Sequence, residues 1–164
     1  MKIGLLSDTH SYIDAEILKQ LKSCEEIWHI GDFGEGVHTE LEKIAPLRGV
    51  YGNIDNNELR HQFPEYLNYE IEGLKVLMIH IGGYPEKYNK RSKELIQKYK
   101  PQLFLSGHSH ICKIMRDDKN KLIHMNPGAA GKHGFHKVRT MITFEITNGK
   151  INEVKVIELG PRTS

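Results

Sequence analysis

The sequence predicts an α/β protein built from two β-sheets covered by helices. Three observations lead there. The first third alternates short apolar runs with amphipathic segments, which favours parallel strands joined by right-handed crossovers. The remainder is richer in strand patterns and carries two hairpin signals. The apolar runs also end repeatedly in Asp, Asn or His, where open α/β sheets bind ligands.

Each element follows in order. KIGLLS (2–7) reads as a buried strand that stops at Asp8 and His10. DAEILKQLKSC (14–24) sets Ile17, Leu18 and Leu21 at helical spacing behind Asp14, a natural N-cap. EIWHI (26–30) is strand-like and ends at Gly31-Asp32, and HTELEKIA (38–45) is helical and stops before Pro46. LRGVYG (47–52) is a third short strand, followed by Asn53. YLNYEIEG (66–73) and LKVLMIHI (74–81) make a hairpin through Glu72-Gly73, with His80 near its end. NKRSKELIQKYK (89–100) is a helix closed by Pro101, and QLFLSG (102–107) is a strand running into His108 and His110. CKIMRDD (112–118) and KLIHMN (121–126) flank a turn, and residues 139–159 form a hairpin around Asn148-Gly149. No repeat, low-complexity stretch or linker interrupts the chain, so residues 1–164 are expected to form one domain. The number of layers does not follow from pattern alone.

Composition narrows the function. Lys and Arg number 23 against 21 Asp and Glu, a net charge of +2 that gives no reason to expect a membrane surface or a large nucleic-acid footprint. Two cysteines, Cys24 and Cys112, cannot build a disulfide framework; no apolar run reaches membrane length, and no signal peptide is expected, since Met1-Lys2 lead straight into a short strand. The expectation is a reduced, cytoplasmic protein. Ten histidines are the anomaly, roughly two to three times ordinary usage. Histidine is the commonest metal ligand and a common acid–base group.

The histidines cluster with carboxylates at strand ends. Asp8, His10, Asp32, Asn53, His80, His108 and His110 supply nitrogen and oxygen donors and no thiolate, a set suited to Mn, Fe, Zn, Ni or Co. Seven ligands are too many for one ion and suit two that share a carboxylate. D-x-H at 8–10, G-D at 31–32, G-N-x-D at 52–55, the strand-ending His80, G-H-x-H at 107–110 and N-P-G at 126–128 together resemble the calcineurin-like metallophosphoesterase superfamily. The likeness is strongest to its small single-domain phosphodiesterase branch. The resemblance implies a four-layer α-β-β-α sandwich of two mixed sheets flanked by helices, with a dinuclear centre. By motif position, Asp8, His10, Asp32 and His110 would hold one divalent ion. Asp32, Asn53, His80 and His108 would hold the other, with Asp32 bridging. Mn²⁺ is the first choice of metal, with Ni²⁺, Fe²⁺, Zn²⁺ or Co²⁺ as alternatives. A bridging hydroxide, generated as the ions lower the pKa of water towards ~7, would attack a small phosphodiester substrate, with Asp32, Asn53 and His108 in the catalytic centre. Activity is expected to fall below roughly pH 6, where protons compete for the imidazoles.

Two departures matter. Many relatives read G-N-H-[DE], and that histidine is thought to assist the leaving group; here Gly52-Asn53-Ile54-Asp55 puts a side chain without a proton in its place. His133 and His136, in the Gly-bounded stretch GKHGFH (131–136), are the candidates to face substrate instead. The second departure is His80-Ile81-Gly82, where the superfamily often has Gly directly after His. Two rival readings stay open: a scaffold for protein–protein assembly, as in the retromer subunit that keeps this fold and also lacks the leaving-group histidine, and a nuclease. Oligomeric state is left open. Among the remaining groups, His29 is expected to be a core histidine or one that supports a ligand. His38 and His61 are read as surface helix residues, His124 as a strand residue, and Trp28, Cys24 and Cys112 as core or near-core. Asp55 would bond its own turn or orient a ligand. The basic run with Lys90 and Arg91 reads as a solvated helix face, or as a means of steering phosphate.

Overall fold

The computed structural model describes residues 1–163. β1 (Lys2–Leu6), α1 (Ala15–Leu21), β2 (Glu26–His29), α2 (Val37–Glu42) and β3 (Leu47–Gly49) realise the alternating start. α3 (Asn57–Gln62), β4 (Tyr66–Ile71), β5 (Leu74–Ile79), α4 (Lys90–Tyr99) and β6 (Leu103–Leu105) follow, then β7 (Cys112–Asp117), β8 (Leu122–Pro127), β9 (Val138–Thr147) and β10 (Lys150–Pro161). One sheet runs β10-β9-β1-β2-β3, the other β4-β5-β6-β8-β7. Both are mixed. β1, β2 and β3 pair in parallel, as do β5, β6 and β8, while β9, β10, β4 and β7 join antiparallel.

Side-chain alternation explains the layering. Ile3 and Leu5 point one way from β1 into a core shared with Trp28, Val76, Met78, Leu103, Leu105, Met125 and Phe144, which come from both sheets. Leu6 points the other way, onto Ile17 and Leu21 of α1 and Leu41 of α2. The outer face of the second sheet offers Leu77, Ile79 and Phe104 to Leu95 and Ile96 of α4. The result is helix, sheet, sheet, helix. Gly4 lies on the α1 side of β1, where a Cβ would run into Leu21 Cδ2. Its lack of a side chain sets how closely α1 packs.

Asp14 is the α1 N-cap, its Oδ1 accepting from the Ile17 N–H at 3.0 Å. Glu72-Gly73 (φ 50° and 80°) and Asn148-Gly149 (φ 51° and 77°) make tight hairpin turns with positive φ at both central residues. The two turns touch, Gly149 N donating to Glu72 O at 2.7 Å. They tie the sheets together at the end opposite the Asp- and His-bearing loops. Two expectations need correction. α3 has no counterpart among the elements read from the sequence, because its one buried apolar residue, Leu59, gives no periodicity; its signal is the cap, Asn56 Oδ1 accepting from Leu59 N at 3.0 Å. His38 is buried rather than on the surface, edge-on to Phe63 at 6.3 Å. His61 is exposed on α3, Trp28 and Cys24 are buried, Cys112 is half-buried, and His124 is buried in β8. No helix among the described residues is long and apolar enough to cross a membrane.

Candidate metal centre

The loops that leave β1, β2, β3, β5 and β6 meet at the carboxyl ends of the parallel strands. Backbone bonds lace them together beyond the sheets. Asp8 N donates to Gly31 O and His10 N to Asp32 O, both at 3.0 Å, and Gly107 N donates to His80 O at 2.9 Å. The 126–131 segment closes over the first loop, with Ala130 N on Ser7 O (3.0 Å) and Gly131 N on Asp8 O (3.2 Å). Asn126 Nδ2 holds Gly107 O and Ser109 Oγ, both at 3.1 Å.

This lacing bends the backbone into a conformation that L-residues avoid. Asp8, His10, Asp32, His108 and His110 all have positive φ, between 45° and 70°. Such strain persists only where surrounding contacts over-determine it, and it clusters at functional sites.

Two groups of donor atoms result. Asp8, His10 and His110 form one and Asp32, His80 and His108 the other, with the ligand atoms of each group within 4.8 Å of one another. Each carboxylate divides its work. Asp8 Oδ2 accepts from Ser7 Oγ (2.7 Å) and His108 N (3.1 Å), leaving Oδ1 without a hydrogen-bond partner, 3.3 Å from His110 Nε2. Asp32 Oδ1 accepts from Ile54 N (3.0 Å), while Oδ2 lies 3.3 Å from His10 Nε2 and 3.2 Å from His80 Nε2, between the two groups. His80 Nδ1 donates to Ile30 O at 2.7 Å, so its buried Nε2 presents a lone pair inward. His10 Nε2 is likewise buried and unpartnered. Ligand atoms held at about 2.1 Å from a common ion stand roughly 3.0–3.4 Å apart along a coordination edge. The spacing and the orphaned donors fit metal ions better than hydrogen bonds.

The electrostatics agree. Burial would raise the Asp8 carboxyl, but His110, His80 and Ser7 outweigh it and lower its pKa. Burial opposes Asp32 too, yet His10, His80 and the Ile54 N–H hold it well below the usual carboxylate range. Both are anions ready for cations. His108 is pushed down by burial and by His80, which favours the neutral ligand form.

Asn53 is exposed on the loop after β3 and shares a cavity wall with His80, while Ile54, 46% exposed, carries nothing that ionises. Gly52 lets that loop reach the site, since a Cβ there would overlap Asp32 Oδ1. His133 is exposed and stacks on His10, ring centroids 4.6 Å apart. His136 is half-buried, with Nε2 donating to Gly131 O at 2.9 Å and its ring edge-on to His110. The supporting residues are now visible. Asp55 accepts from Phe33 N (3.2 Å), Gly34 N (3.0 Å) and Gly52 N (2.8 Å), joining the β2 and β3 loops. His29, buried, accepts from Gly31 N through Nδ1 (3.1 Å) and meets Thr9 Oγ1 through Nε2 (3.0 Å). Ser7, Thr9 and Arg60 were not legible as site residues. Asp8 and His10 pointed to Ser7 and Thr9 beside them, while nothing next to Arg60 pointed to it.

The chain is similar to known proteins in sequence and in fold. The family profile "Calcineurin-like phosphoesterase superfamily domain" matches residues 1–149. A "Probable metallophosphoesterase" of Methanothermobacter thermautotrophicus is 32% identical over 138 residues, covering 79% of this chain and 77% of that protein. A structure described as a novel archaeal phosphodiesterase superposes with a TM-score of 0.77 at 21% identity, covering 96% of this chain and 99% of that one. Vps29 from Entamoeba histolytica complexed with Zn²⁺ superposes with a TM-score of 0.73 at 16% identity, covering 98% and 100%. At these identities the structural likeness is one of fold.

Proposed function

Because the chain belongs to the calcineurin-like phosphoesterase superfamily, we propose that it is a divalent-metal-dependent phosphodiesterase. The observation that carries this reading is the convergence of Asp8 Oδ1, Asp32 Oδ2 and the imidazoles of His10, His80, His108 and His110 into two adjacent donor groups. We assign Asp8, His10, Asp32 and His110 to one ion and Asp32, Asn53, His80 and His108 to the other, with Mn²⁺ the expected metal. Bound ions would supply a hydroxide at neutral pH and positive charge for the phosphoryl oxygens. The protein's own groups position that chemistry. Asp32 Oδ2 lies between the two donor groups, and Asp55 and His29 fix the loops that carry it. His133 is read as the imidazole that contacts substrate from the His10 side. His136, committed to Gly131 O, braces His110.

The net charge favours a diester. Two divalent ions less the two carboxylates leave about two positive charges, matching a phosphodiester and a hydroxide. The scaffold reading draws on Ile54, which offers no proton. The orphaned His10, His80 and Asp8 atoms weigh against it, because buried unpaired polar atoms are costly in a protein with no use for them.

The direct test is hydrolysis of bis-p-nitrophenyl phosphate. Activity should appear with Mn²⁺, vanish with chelator, and fall by about 10³-fold or more in Asp32→Ala, with bound metal counted in parallel. Metal-independent turnover, or full activity in Asp32→Ala, rejects the reading.

A further inference from the structure

Beside the donor group of Asp32, His80 and His108 lies a cavity of about 340 Å³ whose lining includes Tyr51, Asn53, Arg60, Glu65, Ile81 and Arg91 together with His80 itself. Its walls are of two kinds. Tyr51, Ile79 and Ile81 present apolar surface. Arg60 and Arg91 present guanidinium groups, and Glu65 a single carboxylate. Arg60 is tied down, with Nε on Asp55 O (2.8 Å), Nη2 on Asn53 O (3.1 Å) and its face on the Tyr51 ring at 4.6 Å. Arg91 gives Nε to Glu65 Oε1 at 2.9 Å and lies over the Tyr66 ring at 5.3 Å. No hydrogen bond is formed by its two Nη groups among the described residues. Two guanidinium groups against one carboxylate leave the cavity with one net positive charge.

Resting on the phosphodiesterase reading, we propose that this cavity is the leaving-group subsite, and that it takes a leaving group which departs as an anion: the second phosphoryl group of a diphosphate diester, with the nucleoside-sized body attached to it. Two independent features converge here. Ile54 cannot protonate a departing alkoxide, and His133, stacked on His10, is not among the residues that line this cavity, so a leaving group seated here that needs a proton is poorly served. The cavity next to Ile54's neighbour Asn53 supplies fixed positive charge instead, which stabilises a departing phosphate oxygen without proton transfer. The volume is at the lower end for a small-molecule pocket and suits one nucleoside-sized group. In the reaction, a water oxygen bonds to the scissile phosphorus. The bond from that phosphorus to the bridging oxygen breaks, and its electron pair leaves with the second phosphoryl group. The proton lost by the water goes to solvent. The products are two phosphomonoesters.

The experiment uses the Mn²⁺-loaded protein with diadenosine diphosphate, bis-p-nitrophenyl phosphate, and a methylene-bridged analogue of diadenosine diphosphate that cannot be cleaved. The wild type should release two monophosphates. The ratio of kcat/KM for the diphosphate diester to that for the aryl diester should fall about tenfold or more in Arg91→Ala, with most of the loss in KM. Calorimetry should show the analogue binding about tenfold more weakly to Arg91→Ala. Lys90→Ala, an exposed cation next to Arg91 but outside the cavity, should leave the ratio and the analogue affinity unchanged. The proposal is overturned if bis-p-nitrophenyl phosphate is hydrolysed while the diphosphate diester is not. It is equally overturned if Arg91→Ala lowers both substrates by the same factor, or if Lys90→Ala reproduces its effect. Failure to hydrolyse any diester would sink the phosphodiesterase reading instead, and analogue affinity would still report on the cavity.

Discussion

A residue proposed here as a metal ligand also shapes the loop that carries it. Asp8 and Asp32 each spend one oxygen on backbone N–H groups and keep the other for the centre. The five residues with positive φ store strain of order 1 kcal/mol or more apiece, which the lacing of the loops sustains. His108 tests this most cleanly, because it is exposed and has φ 70°. Glycine adopts that conformation without a steric penalty. In chelator, His108→Gly should melt at or above the wild-type temperature, by up to about 4 °C. Added Mn²⁺ should raise the melting temperature of the wild type, and raise that of His108→Gly by much less. A variant that is clearly less stable than wild type in chelator would show that His108 serves the fold rather than the ions.

At the scale of elements, the centre depends on how β1 is clamped between its helix and the opposite sheet. Gly4→Ala would push a methyl group into Leu21, an overpacking expected to cost about 1–3 kcal/mol. Leu21→Ala alone leaves a cavity and should cost about 2–5 kcal/mol. The double variant should cost clearly less than the two together, because the shortened side chain makes room for the new methyl; simple additivity in chemical denaturation would reject the contact. This clamping also explains what the sequence conveys. β1, β2, β5 and β6 were legible because each buries both faces and so reads as a continuous apolar run that stops at the site. The ends of those runs marked Asp8, His10, Asp32, His80, His108 and His110 without any knowledge of distance. α3 was not legible, since a six-residue helix with one buried leucine has no period to detect. Arg60 stayed hidden with it. Asp55 was legible in part: its bond to Gly52 N within its own turn was expected, but its bonds to Phe33 N and Gly34 N were not, because backbone bonds across loops leave no trace in residue type.

For the molecule as a whole, two buried histidines outside the donor groups, His29 and His124, weaken the fold in acid. His124 is buried in β8 against Tyr88 and Phe104, its Nδ1 donating to Phe104 O at 3.1 Å, and burial lowers its pKa to about 4. Burial lowers His29 further, to about 3. Both titrate near 6.5 when the chain unfolds. The unfolded state therefore binds their protons first as pH falls, and it gains free energy relative to the native state. Stability from these groups is complete above about pH 6.5 and is lost progressively below it, down to the folded pKa values. His80 works the other way. Its pKa is raised, burial being outweighed by Asp32 and Asp8, so in metal-free protein it adds stability below about pH 6.5 that is lost as pH rises through the folded value. A total acid profile mixes these opposing effects, so the variant has to isolate one. His124→Asn keeps a donor for Phe104 O but cannot take up a proton. The stability of wild type relative to His124→Asn should fall by about 1 kcal/mol per pH unit between pH 6 and 4.5, measured by urea unfolding in chelator. The difference should be flat between pH 7 and 8.5. Parallel curves through the acid range would mean that His124 is protonated as easily in the fold as out of it, and that its burial carries no penalty.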